Sequence, residues 1–160
     1  LERSAGAWYY EQHLLGLNYR LSDIHAALGN SQLGRLDQFL DRRRQLAQDY
    51  HVRLQNLKIG LPDQAELMTS AWHLYVIRIT KDSPVTRRGL YDALSEKNIG
   101  VNVHYIPIYR QPFFGQLQIE PTDFPGSESY YESALTIPLH PGLSRETIGH
   151  ICNEISKALQ

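Results

Sequence analysis

The sequence predicts an α/β or α+β body over residues 58–160, preceded by a loop and helical arm over residues 1–57. The clearest strand, AWHLYVIRIT at residues 71–80, is rich in aromatic and β-branched residues. Apolar residues recur at helical spacing before and after this strand. Helices and strands therefore alternate along the second part of the chain, which is the pattern of a mixed domain.

The arm is predicted to hold two helices. Ser22 or Asp23 can cap the first, whose apolar residues return at three- and four-residue spacing to about Leu33. The second keeps a 3.6-residue period from Leu36 to Leu57. The basic run at residues 42–44 lies on this second helix and is expected to be a solvated face.

The body is predicted as a series of short elements. A loop over residues 58–70 is followed by the strand at 71–80 and by a helix that Thr86 caps and that runs to about Lys97. A second strand is expected at Ile99–Tyr105, before a proline-containing loop, IPIYRQPFF, that cannot continue it. The remaining predicted elements are a helix over 127–134, a strand over 135–137 and a last helix capped by Ser144.

The composition is that of an ordinary globular chain. Of its 160 residues, 42% are hydrophobic, and the 16 Lys and Arg nearly balance the 17 Asp and Glu, giving a formal charge of −1. No run approaches the ~18 consecutive apolar residues of a membrane span. The sequence thus predicts neither nucleic-acid nor membrane binding. A start at LERSAGAWYY, without Met or a signal-like segment, indicates a piece of a longer protein.

Few residues carry an obvious chemical signal. The single cysteine, Cys152, falls on the apolar face of the last helix, which indicates a small core residue in a reducing, cytoplasmic compartment. The 7 histidines lack paired metal-ligand spacing, so no metal site is predicted. The lysines fall in loops, caps or exposed helix positions, whereas a lysine that forms a Schiff base needs a shielded pocket. No catalytic residue is therefore predicted in this chain.

Two polar clusters remain as candidate sites. Asn18 and Arg20 precede a helix start, where backbone N–H groups and the helix dipole favour a phosphate. His104, Tyr105 and Tyr109, with Arg110 beside them, supply donors and aromatic faces suited to a sugar or a nucleotide diphosphate. From the residues alone, a satisfied core histidine and a packing loop are the more common explanation of the second cluster.

Four blocks of the sequence resemble, in the same order, the C-terminal part of the DegT/DnrJ/EryC1/StrS family of sugar aminotransferases. They are LGLNYRLSDIHAALGNSQLGRLDQFLDRRRQLAQDY, AWHLYVIRI, EKNIGVNVHYIPIYRQPFF and YYESALTIPLHPGL. The resemblance covers almost the whole chain. The versions WYYEQHLLGLNYR and VHYIPIYRQPFF are most similar to the members that act in pseudaminic acid synthesis.

The resemblance implies the C-terminal domain of a fold-type I enzyme dependent on pyridoxal 5'-phosphate, with a small, mostly antiparallel sheet packed with helices. Such enzymes are homodimers that move an amino group from glutamate to a UDP-linked 4-keto hexose in bacterial surface-sugar synthesis. By position, Asn18 and Arg20 would bind the cofactor, and His104, Tyr105 and Tyr109 would lie on the substrate side. The Schiff-base lysine belongs to the family's N-terminal large domain, which this chain lacks, so the chain is not expected to be catalytic alone.

Three other interpretations stay open at this point. A sugar dehydratase of the same fold uses the same cofactor with histidine in place of the lysine. A non-catalytic module could keep the small domain for dimerisation or ligand binding. A globular domain without any site is the third.

Overall fold

The computed structural model describes residues 16–17, 19–63, 65, 69–112, 114 and 119–160. The helices are α1 (Asp23–Leu33), α2 (Leu36–Leu54), α3 (Arg87–Glu96), α4 (Pro125–Ser133) and α5 (Arg145–Ala158). The strands are β1 (Ile59–Gly60), β2 (Tyr75–Ile79) and β3 (Ala134–Ile137). The chain divides into two units, residues 1–36 and 37–160, which are described separately. The division at residue 57 predicted above concerns the whole protein and stays a prediction.

The first unit contains α1, and its N-terminus is built as predicted. Ser22 is the N-cap, and its Oγ accepts a hydrogen bond from the backbone N–H of His25. Every described residue of this unit is exposed. Ile24 is 82% exposed and Leu28 58% exposed. The helix therefore forms from local signals, and its apolar residues find no cover among the described residues.

Helix α2 belongs to the second unit from residue 37 on and packs into its core through its C-terminal half, where Leu46, Ala47, Tyr50 and Leu54 are buried. The prediction of a solvated basic face at residues 42–44 is wrong for two of the three arginines. Arg42 Nη2 donates to the carbonyl of Leu143 at 2.6 Å. Arg43 Nη1 donates to the carbonyls of Trp72, Leu139 and His73 at 2.8, 3.1 and 3.4 Å. These cations satisfy backbone acceptors of segments distant in sequence, and they tie the helix to the domain.

The sheet has the order β1-β2-β3, and both pairings are antiparallel, which confirms the predicted small antiparallel sheet. Tyr75 lies opposite Ile137 and Ile77 opposite Leu135, so these four residues share one face, and all four are buried. The predicted strand at 71–80 is confirmed at its centre. Strand β1 lies in the segment that was predicted to be a loop, because two residues carry no periodic signal.

The predicted strand over Ile99–Tyr105 is wrong. Only Asn102 makes a bridge, antiparallel to Thr136 of β3. The alternation that suggested a strand holds for Ile99 and Val101, which are buried, but Tyr105 is 70% exposed. The short alternation of apolar residues before Pro107 therefore belongs to an irregular segment that lies along the edge of the sheet.

The three helices of the body follow their predicted signals. Thr86 caps α3 and Ser144 caps α5, each accepting from the N–H three residues on. Helix α4 begins at Pro125, two residues before its predicted start, because proline is favoured in the first turn.

One core unites α2, the sheet, α3 and α5. Cys152 is buried in it, as predicted. The other fully buried large side chains are Leu46, Tyr50, Leu54, Tyr75, Ile77, Leu90, Leu94, Leu135, Ile137, Ile148 and Ile155. Among the residues that the structure describes, every helix is too short or too polar for a bilayer crossing.

Candidate functional site

The loop that follows Asn102 starts from a histidine fixed against the sheet. The backbones of Asn102 and Thr136 exchange hydrogen bonds of 3.1 and 2.8 Å. His104 Nδ1 then lies 2.9 Å from the Oγ1 of Thr136, a residue only 6% exposed. The imidazole is therefore held by a buried hydroxyl at the edge of the sheet, which limits its rotation.

The outer side of the same loop is apolar and open. The ring of Tyr105 meets the ring of His104 edge-on, with centroids 4.6 Å apart and planes at 82°. Tyr105 is 70% exposed, and Ile106 and Ile108 are exposed beside it. An aromatic ring paired with a fixed imidazole is a suitable surface for a ligand that carries both apolar and hydroxyl groups.

The far end of the loop is held by a carboxylate of α4. The hydroxyl of Tyr109 donates to Glu128 Oε1 at 2.7 Å. Arg110 donates from Nε to the same oxygen at 2.9 Å and from Nη2 to Oε2, so the guanidinium and carboxylate pair through two hydrogen bonds. This bidentate geometry is the strong form of an arginine–carboxylate contact.

The pKa values of all three groups in this cluster, Tyr109, Arg110 and Glu128, are shifted. The hydrogen bond from Arg110, followed by that from Tyr109, lowers the pKa of Glu128. The pKa of Tyr109 is raised, first because the hydroxyl loses water contact. The hydrogen bond to Glu128 raises the pKa of Arg110. Near neutral pH Glu128 is thus an anion that accepts hydrogen bonds from the neutral phenol of Tyr109 and from the guanidinium of Arg110.

Aromatic contacts surround this cluster. The ring of Tyr109 stacks on Phe124, with centroids 5.0 Å apart. The ring of Tyr131 lies under two guanidinium groups, that of Arg87 at 4.9 Å and that of Arg110 at 5.4 Å. Arg87 also donates from Nη1 to the carbonyl of Tyr131. Helix α4 is therefore fixed to the start of α3 while it holds the loop.

The residues predicted for a phosphate belong to the first unit. Arg20 is exposed and lies two residues before the N-cap Ser22. Asn18 lies outside the described residues. Arg20 thus precedes a capped helix start in the sequence, and the role of Asn18 and Arg20 stays a prediction.

Two tertiary contacts were not predicted from the sequence. Glu128 gave no signal beyond its place in the first turn of a helix, and its partners are 18 and 19 residues away in sequence. The tie from Arg43 to three carbonyls was equally invisible, because a basic helix run is usually a solvated face. No local pattern could have found either one, since both depend on tertiary contacts.

A separate cavity of about 280 Å³ opens on the face of β2 that carries Val76 and Arg78, opposite the buried face of Tyr75 and Ile77. Its wall is largely apolar, and the guanidinium of Arg78 lies at its edge, where Nε donates to Ser133 Oγ at 3.1 Å. The lining residues are Leu61, Pro62, Ser70, Trp72, Leu74, Val76, Arg78 and Tyr130.

Lysine and metal chemistry have little support in the described part of the chain. All four lysines are exposed, as predicted, so none lies in the shielded pocket that a covalent cofactor needs. Among the described residues, no group of three or more His, Cys, Asp and Glu could hold a metal ion.

Residues 2–156 match the model of the DegT/DnrJ/EryC1/StrS aminotransferase family. The spore coat polysaccharide biosynthesis protein SpsC of Bacillus subtilis is 36% identical over 157 residues, which are 95% of this chain and 40% of SpsC. The UDP-4-amino-4,6-dideoxy-N-acetyl-beta-L-altrosamine transaminase of Campylobacter jejuni is 30% identical, over 94% of this chain and 42% of that protein.

A solved structure is also similar to this chain. The PLP-form of the sugar aminotransferase Spr1654 from Streptococcus pneumoniae superposes with a TM-score of 0.78 and 28% identity, over 88% of this chain and 37% of that one. The chain therefore spans about 40% of the length of the curated relatives it matches.

Proposed function

The chain belongs to the DegT/DnrJ/EryC1/StrS aminotransferase family, and we propose that it is the C-terminal part of a cytoplasmic nucleotide-sugar aminotransferase dependent on pyridoxal 5'-phosphate. The whole enzyme moves an amino group from glutamate to a UDP-linked 4-keto hexose. The match over residues 2–156 carries this proposal. The similarity to an altrosamine transaminase supports a UDP-sugar of pseudaminic acid synthesis as the acceptor.

In this proposal the loop from His104 to Arg110 is one wall of the sugar site. The imidazole of His104, held 2.9 Å from Thr136 Oγ1, presents a fixed polar edge to a sugar hydroxyl. The exposed ring of Tyr105 packs against the apolar face of the sugar. Tyr109 contributes its half-buried ring, since its hydroxyl is used by Glu128.

The described residues fit only the phosphate end of the cofactor. Arg20 beside the capped start of α1 has the charge and the backbone donors that a phosphate needs, and Asn18 would complete the set. The cofactor, when bound, supplies the electron sink for amino transfer. Its covalent lysine must come from elsewhere, because the four lysines of this chain are exposed. The chain binds and orients, and it is not catalytic alone.

The exposed face of α1 also fits this assignment. Relatives are more than twice as long as the chain, so the whole protein has ample further surface to cover Ile24 and Leu28. We propose that the large domain and the second subunit of a homodimer cover this helix, and that the phosphate donors thereby reach a cofactor held by the other subunit.

The test uses the full-length protein loaded with pyridoxal phosphate. Addition of L-glutamate should shift the cofactor absorbance to that of the pyridoxamine form, and a UDP-4-keto hexose should restore the first spectrum. The 160-residue chain alone should do neither. An unchanged spectrum, with no lysine labelled by borohydride, would instead favour the dehydratase.

Substitutions at the wall test the residue assignments. His104→Ala and Tyr105→Ala in the full-length enzyme should raise KM for the nucleotide sugar by about tenfold or more, since each removes a positioning contact. His150→Ala is the matched control, because His150 is an exposed histidine of α5 and is not part of the loop over residues 104–110. Equal KM values in all three variants would remove the loop from the substrate site.

A further inference from the structure

The loop wall is anchored at both of its ends. At one end, His104 meets Thr136 of β3. At the other end, Tyr109 and Arg110 both donate to the single carboxylate of Glu128 on α4. Between the anchors lie the exposed residues Tyr105, Ile106 and Ile108.

We propose that Glu128 is a positioning residue of the substrate site: it fixes the loop over residues 104–110 in the conformation that presents His104 and Tyr105. Glu128 itself makes no contact with the reacting groups in this proposal. The inference rests on the proposed function for its catalytic consequence, whereas the holding role concerns the fold alone.

The geometry suits this role. One carboxylate accepts from two consecutive residues, so it fixes the direction of the chain at that point as well as its distance from α4. The contact is largely shielded on the helix side, where the Glu128 side chain is 14% exposed against 39% for Arg110. Arg110 also lies over the ring of Tyr131, one turn further along α4, which gives its guanidinium a second contact on the same helix.

The backbone beside the anchor depends on it. Residues 108–110 form one turn of 3₁₀-helix, with the N–H of Arg110 donating to Pro107 O at 2.9 Å and that of Gln111 to Ile108 O at 3.0 Å. A single short turn is marginal by itself, so its side-chain contacts decide whether it persists. Without Glu128 the segment would keep the His104 contact and the ring contacts of Tyr109 and Arg110, but it would lose the carboxylate that fixes its direction, and Tyr105 would become less ordered through the gain in chain entropy.

The experiment compares Glu128→Ala and Glu128→Gln in the full-length holoenzyme. The glutamine keeps an oxygen for Tyr109 but loses the paired charge, so its effect should be the smaller. We expect KM for the nucleotide sugar to rise up to about a hundredfold in Glu128→Ala, with a smaller change in kcat. Hydrogen exchange at the amides of Arg110 and Gln111 should accelerate about tenfold or more, whereas the amide of Ile77 in β2 should not change.

A matched control and a double variant separate positioning from charge loss. Glu154→Gln removes another helical carboxylate that is paired with a cation, Lys157, and should leave KM and loop exchange unchanged. Glu128→Ala combined with Arg110→Ala should have a smaller effect than the two single effects added together, because each single variant already loses the shared Arg110–Glu128 pair.

The outcomes are distinguishable. Unchanged exchange at Arg110 and Gln111 in both Glu128 variants would overturn the holding role. Faster exchange with unchanged KM would overturn its role in the site. A parent enzyme without transaminase activity would refute the proposed function, and the exchange data would still decide whether Glu128 holds the loop.

Discussion

Helices α1 and α5 start in the same way and end up in opposite environments. Ser22 and Ser144 each cap their helix by accepting from the N–H three residues on. Helix α5 buries Ile148, Ile151, Cys152 and Ile155, whereas α1 buries none of its residues. The comparison teaches that local sequence determines whether a helix begins, and that the surface opposite determines whether its apolar side becomes a core.

Thiol reactivity should show the largest difference between the two helices. Burial raises the pKa of Cys152 to about 12, so below that pH the folded chain keeps the thiol protonated and covered. A thiol reagent at pH 8 should label it at least about a thousandfold more slowly than the unfolded chain, because labelling requires opening of the core. Cysteine introduced on α1, as Ala27→Cys with Cys152→Ser, should react like an unprotected thiol.

The raised pKa of Cys152 also determines the direction in which stability changes with pH. The thiol of an unfolded cysteine has a pKa of about 8.5, so Cys152 releases its proton at a lower pH in the unfolded chain than in the folded chain. The contribution of Cys152 to the free energy of unfolding is therefore present below about pH 8.5 and is lost as the pH rises toward about 12. Fast labelling of native Cys152 at pH 8 would contradict this description of the core.

Matched isoleucine truncations should give the next largest effect. Ile148 is 0% exposed and Ile24 is 82% exposed. Ile148→Ala should lower the free energy of unfolding of the 160-residue chain by about 2 to 5 kcal/mol, because it removes buried methyl groups and leaves a cavity. Ile24→Ala should change it by less than about 0.5 kcal/mol. Urea titration followed by circular dichroism measures both, and similar losses would mean that this chain covers α1 itself.

Removing Arg43 should cost less than a core truncation. Arg43→Ala leaves three backbone carbonyls without their donor, and a loss of about 1 to 3 kcal/mol is expected. Arg44→Ala is the matched control on the same helix, since Arg44 pairs with Asp41 at 3.4 Å near the surface. If thermal unfolding shows the two variants to be alike, then α2 is not tied to the domain through Arg43.

Substitution of the two N-cap serines is expected to give the smallest difference in stability between α1 and α5. Ser144→Ala should lower the free energy of unfolding by about 0.5 to 2 kcal/mol, because α5 is part of the core. Ser22→Ala should reduce helicity in α1 without moving the main unfolding transition. A common shift of that transition in both variants would show that α1 unfolds together with the body.

Much of the fold could be predicted because its signals are local. Ser22 or Asp23 was expected to cap the first helix, and Thr86 and Ser144 were expected to cap two others; Ser22, Thr86 and Ser144 each accept the corresponding hydrogen bond. The strand at Tyr75 and the buried Cys152 followed from β-branched content and from helical spacing. These features depend on the nearest few residues.

The errors share the opposite property. Residues 99–105 alternate like a strand, but only Asn102 reaches a partner. Arg43 was predicted to be solvated, but its guanidinium donates to backbone carbonyls of segments that are distant in sequence. In the candidate site, His104 and Tyr105 were proposed from their residue types and from the family resemblance, whereas Glu128 emerged only from the tertiary contacts. Patterns in a single sequence do not determine which residues distant in sequence contact one another.

The central claim is that this chain is part of a longer enzyme whose remaining surface covers α1. Hydrogen exchange of the α1 and α5 amides, measured in the 160-residue chain and in the full-length holoenzyme, tests it most directly. The account predicts fast exchange in α1 of the isolated chain, slow exchange there in the holoenzyme, and slow exchange in α5 of both. Exchange in α1 that is equally fast in both proteins would contradict it.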